Sequence, residues 1–93
     1  MEIRQLLKQA REIWGDDYKM SLAEIIIALG VVYGDLCRYE RNALKDAQKH
    51  NINELRKELG NIIFSTIRWC DDLNLDPEEC IKEAIKAQKK FIK

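Results

Sequence analysis

Apolar side chains recur at helical spacing along most of this chain. Ile3, Leu6, Leu7, Ala10, Ile13 and Trp14 fall on one stripe, which predicts a first helix over about 2–14, ending near the run Gly15-Asp16-Asp17. Ser21 followed three residues later by Glu24 has the form of a capping box and opens a second helix, predicted to run from 21 to about 49. The run His50-Asn51-Ile52-Asn53 breaks it. Asn53 is read as the cap of a third helix over about 54–73, with Leu55, Leu59, Ile62, Ile63, Ile67, Cys70 and Leu73 on its apolar side. A fourth helix, about 77–92, opens with Asp76 as N-cap, Pro77 at the first helical position and Glu78 and Glu79 at the positive end of the dipole. Only 4 glycines and 1 proline interrupt the chain, so the expected fold is all-α, a single four-helix domain without linker, repeat or low-complexity segment.

The second helix departs from amphipathic form. Between Ile25 and Gly34 it shows no polar face, and a helix that is apolar all round must be covered all round. A chain of 93 residues buries only roughly 60–65% of its unfolded surface, so three short neighbours leave that helix incompletely covered. The expectation is therefore a homo-oligomer, a dimer or tetramer, with the second and third helices at the interface. Gly30 and Gly34 lie four apart on one side of the helix, where the missing side chains would let another helix approach closely. Each costs about 1 kcal/mol of helix propensity, which close packing has to offset.

Charge narrows the function classes. Lys plus Arg and Asp plus Glu balance at 16 each, so no global field draws in nucleic acid or an anionic membrane, and no basic surface is interleaved with aromatics. The longest apolar run, Ile25 to Tyr33, falls short of the roughly 20 residues a membrane span needs. The opening MEIRQLLKQAREIW is charged and amphipathic, unlike a signal peptide. A cytoplasmic protein is the expectation. Cys37, Cys70 and Cys80 are an odd set with no C-x-x-C pair, read as reduced, mostly buried thiols. His50 stands at a helix end, where capping or solvent exposure is the expected role.

Asp72, Asn74, Asp76 and Glu83 stand at the first, third, fifth and twelfth positions of a calcium loop. The sixth position needs a sharp glycine turn and holds Pro77, so the segment is read as a capped helix start.

Asp35 ends the apolar stretch in VVYGDL, and Glu58 opens ELGNII on the next helix. With the closing WCDDLNLDPEECIKEAIKAQKKF, these segments resemble the MazG-like all-α nucleotide pyrophosphohydrolases, relatives of the dimeric dUTPases. The resemblance covers about residues 21–91. It implies a four-helix protomer that assembles with further copies and hydrolyses a nucleoside triphosphate to a monophosphate and pyrophosphate through Mg²⁺-activated water. In that family four carboxylates, two per helix at i and i+3, hold Mg²⁺ beside the phosphates, because Mg²⁺ takes hard oxygen ligands.

Carried over by position, Asp35 and Glu58 stand where two of those acids belong. Val32 replaces another, Asn61 offers only a neutral carbonyl in place of the last, and Val31 too stands where the family has an acid. The ligand charge falls from −4 to −2, enough for one Mg²⁺ with waters but short of a multi-metal site. The alternative is a catalytically inactive, oligomeric binding or regulatory module, with Asp35 and Glu58 paired to cations such as Arg38 and Arg56. Lys82, Lys86, Lys89 and Lys93, with Lys90 beside them, give the last helix a basic side. The resemblance assigns Lys86 and Lys90 to phosphate binding, whereas the dipole alone explains cations at a helix C-terminus.

Overall fold

The structure is a computed structural model that describes residues 1–15 and 17–92. Asp16, expected at the first helix stop, and Lys93, expected in the basic stripe, lie outside the described residues. The chain is all-helical among those residues: α1 Ile3–Trp14, α2 Leu22–Lys45, α3 Ile52–Asp72 and α4 Pro77–Gln88, with short 3-10 turns at Ala47–Lys49 and Lys89–Phe91. Local chemistry sets most boundaries. Ser21 Oγ accepts from the Glu24 N–H at 3.2 Å while Glu24 Oε1 accepts from the Ser21 N–H at 3.1 Å, completing the capping box of α2. Asp76 accepts from the Glu78 N–H at 3.0 Å, with Pro77 at the first position of α4. The would-be calcium loop is thus the end of α3, a turn and this cap.

Three boundaries differ from expectation, one being the end of the fourth helix, which stops at Gln88 where about 92 was expected and passes into the 3-10 turn Lys89–Phe91. The second helix stops at Lys45, short of 49, because Asp46 leaves helical geometry at φ −149° and the chain tightens into a 3-10 turn. The cap of α3 is Asn51, whose Oδ1 accepts from the Glu54 N–H at 3.0 Å; Asn53 lies inside the helix and accepts from Arg56. Either asparagine could cap by type, and the one with extended backbone does so.

The helix α3 forms the centre of the packing, meeting α2 and α1 extensively and α4 more lightly. It therefore needs two covered sides, and Trp69 is buried in step with Leu55 and Ile62 at seven-residue spacing, although the stripe read from the sequence did not include it. Ala10, Ile25 and Ile67 complete the buried hydrophobic set. Arg11 on α1 grips Asp71 at the end of α3 through both carboxylate oxygens, at 3.0 and 2.7 Å. Beside this clamp Arg68 lies 4.6 Å from the Trp14 ring centre and 3.8 Å from the Asp72 carboxylate.

This arrangement leaves much of the chain open. Its radius of gyration is 15.5 Å, where a compact domain of this length has about 12 Å. Its accessible surface is 7528 Å², about 1,900 Å² more than a compact monomer of this mass exposes.

The Arg11 clamp holds the Asp71 carboxyl below its ordinary range, the hydrogen bonds from Arg11 outweighing desolvation. A depressed folded pKa means stability present above the unfolded value of about 3.9 and lost as pH falls through the folded one. Asp71→Asn should therefore cost about 1 kcal/mol at pH 7, and its melting curve should approach that of the unsubstituted chain as pH falls below the ordinary carboxylate range. A deficit undiminished in acid would show that the clamp does not act through charge.

Candidate functional site

Asp35 and Glu58 lie on α2 and α3, the two helices that pack on each other most extensively. The inner side of α2 runs through Ile25, Ala28, Val32, Leu36 and Tyr39 at spacings of three and four, all buried or half-buried. Asp35 sits at the border of that side, 34% exposed, with Arg38 Nη1 at 3.4 Å from Oδ1 one turn along. Glu58 is more enclosed: its side chain is 13% exposed, and Lys57 Nζ stands 3.6 Å from Oε1.

The pairing of Asp35 with Arg38 matches expectation. That of Glu58 does not, since Arg56 turns to Asn53 at 3.2 Å and the adjacent Lys57 takes its place. Lys57 divides its charge, lying 2.8 Å from Glu54 Oε2, so Glu58 holds the weaker share. Both carboxylates favour the ammonium form and raise the Lys57 pKa, Glu54 more strongly than Glu58.

The other positions complete the picture. Val32 is half-buried on the inner side of α2 and can ligate nothing; Asn61 is exposed on α3. Among the described residues no group of three or more His, Cys, Asp or Glu side chains converges in a way that would hold a metal ion. By donor type alone, two carboxylates and one amide carbonyl would suit one Mg²⁺ completed by water and would not suit a cluster. In such a site Asp35 and Glu58 would hold the ion, which would supply charge neutralisation for an anionic ligand. Lys86 on α4 and Lys90 in the turn after it are exposed, and no ion pair joins either to Asp35 or Glu58 among the described residues.

A cleft of about 950 Å³ lies elsewhere, between the start of α1 and the α3–α4 turn. Its charged lining is mixed, with Arg4 and Arg11 facing Glu2, Asp71, Asp76 and Glu78. Asp35, Glu58, Asn61, Lys86 and Lys90 do not line it, whereas Asn74 and Asp76 of the would-be calcium loop do. His50 stacks on Tyr39 at 4.5 Å between ring centres and lies 3.9 Å from Glu40, a contact that helix-end reasoning did not anticipate. Its signal was the eleven-residue separation across a helix stop, visible only once the stop is placed at Lys45.

No protein-family model, curated protein or solved structure matches this chain.

Adding the two acids that the resemblance implies tests whether the four positions converge. The pair Val32→Glu and Asn61→Asp should lower the metal-free melting temperature, because four close carboxylates repel and Val32 gives up apolar burial. Added Mg²⁺ should recover part of that loss. Melting that is indifferent to Mg²⁺ would mean these side chains do not share a site.

Proposed function

We infer that this chain is a self-assembling helical module of MazG-like design, in which a second copy covers α2 and the ancestral metal site is reduced to Asp35 and Glu58. The observation that carries this reading is the open apolar surface of α2. Leu22, Ile26, Leu29 and Tyr33 form one exposed stripe, and Ile27, 71% exposed, stands beside Val31 on another. Ile63 on α3 adds to the same class of exposed side chains. The excess surface of about 1,900 Å² per chain is what an obligate interface removes, since such interfaces bury about 2,000–5,000 Å² from both partners together. Gly30 and Gly34 support the choice of a second copy: a Cβ built at either meets no atom within 4 Å. Nothing in the chain itself requires glycine there, while a partner helix approaching closely would.

Hydrolysis of a nucleoside triphosphate to a monophosphate and pyrophosphate remains the second reading, favoured by the placement of Asp35 and Glu58 on packed helices. One Mg²⁺ held by two carboxylates would bind phosphate oxygens, yet it leaves the charge of a triphosphate largely uncompensated. The inactive, assembling module is therefore the better account of the donor set. Lys86 and Lys90 would then serve as dipole-complementing cations on an exposed helix end.

Light scattering should return a dimer or tetramer of the 10.9 kDa chain at micromolar concentration. Ile26→Glu and Ile27→Glu, each at an exposed position where a lone chain tolerates charge within about 0.5 kcal/mol, should dissociate it while helical circular dichroism persists. A compact monomer in solution would overturn the assembly reading. Incubation with Mg²⁺ or Mn²⁺ and a panel of nucleoside triphosphates should release no pyrophosphate; steady turnover abolished by Glu58→Gln would restore the hydrolase.

A further inference from the structure

The turn between α3 and α4 holds two thiols against each other. Cys70 lies in the last turn of α3 and Cys80 in the first turn of α4, where its N–H donates to the Asp76 carbonyl at 3.0 Å. Their sulfurs are 3.9 Å apart, with the Cys70 thiol donating to Cys80 Sγ. The backbone fixes this approach. The N–H groups of Leu73 and Leu75 both donate to the Cys70 carbonyl, at 3.1 and 2.8 Å, and Asn74 adopts the left-handed φ of 60° that reverses the chain. Both thiols are half-buried, so neither is sealed from a small reagent.

We propose that Cys70 and Cys80 form a reversible disulfide site, oxidised by a low-molecular-weight disulfide of the glutathione type, that fastens the start of α4 to the end of α3. A disulfide requires the sulfurs to close from 3.9 Å to about 2.05 Å. Exchange proceeds in two steps. The Cys80 thiolate attacks one sulfur of the external disulfide, whose S–S bond breaks to release one external thiolate and leave a mixed disulfide on Cys80. Cys70 gives its proton to solvent and attacks the Cys80 sulfur, expelling the second external thiolate. The protein loses two electrons and two protons; the external disulfide gains both and leaves as two thiols.

The order follows from the surroundings of Cys70. Burial, with the hydrogen bond to Cys80 next, pushes its thiol up to about 11, so it is held protonated and enters second. The bond would act on the least secured helix. Pro77 at the base of α4 is buried, while everything from Ile81 to Ile92 is exposed, so a crosslink at Cys80 limits the directions open to the segment bearing Lys86 and Lys90.

The test uses Cys37→Ser, which removes the exposed third thiol and leaves the pair alone. The protein is equilibrated with oxidised glutathione, blocked with a maleimide and digested with trypsin, which cuts after Arg68 and Lys82 and releases both cysteines in one peptide. The expected product is that peptide lighter by two hydrogens and without maleimide, together with a melting temperature at least about 5 °C above the reduced form. Cys37→Ser with Cys70→Ser should stop at one glutathione on Cys80. Two maleimides on the peptide after oxidation, disulfides only between chains, or a melting temperature that fails to rise would each overturn the proposal.

Discussion

Between Ile25 and Gly34 the helix α2 carries no charged side chain, and the rest of the structure depends on how that length is covered. One side is answered within the chain, where Ile25, Ala28 and Val32 turn towards the packing with α3. The remaining sides stay open, and at roughly 25 cal/mol per Å² of apolar area their exposure withholds a large part of the stabilisation that the sequence could provide. A small hydrophobic core of Ala10, Ile25, Ile67 and Trp69 is the counterpart of that exposure. A partner surface would complete what the chain begins.

With so little buried apolar area, directional contacts carry more of the arrangement. α3 is joined to α1 by the Arg11–Asp71 clamp and by the contact between Arg68 and Trp14, both at its C-terminal end. The bidentate geometry fixes orientation as well as distance, which a single lysine contact would not do. The same end of α3 leads through the Asn74 turn to the Asp76 cap and the paired thiols. Polar order is concentrated there, and apolar exposure is concentrated on α2.

That division separates the fold from the chemistry its motifs suggest. ELGNII contributes helix-forming and packing residues, among them half-buried Ile62, whether or not its acid binds metal. A multi-metal site depends on charge count, and a valine with an amide cannot supply it. Arg38 and Lys57 stand beside the carboxylates of Asp35 and Glu58, so neither acid requires a metal to balance its charge.

Helical periodicity, the Ser21–Glu24 box and Asp76-Pro77 determined the helices and two of their starts, because those signals act within one or two turns and need no partner. The apolar run of α2 likewise announced, without any coordinates, that burial would be incomplete. What the sequence left undecided was the choice among equivalent local options. Asn51 caps where Asn53 could have, and Lys57 stands by Glu58 where Arg56 could have, since each choice turns on backbone direction and side-chain reach. Tertiary structure alone brought Arg11 to Asp71, sixty residues away, and laid Cys70 beside Cys80, because these contacts depend on how α3 meets its neighbours in space. Spacing along the chain records which residues share a helix face; only packing decides which faces meet.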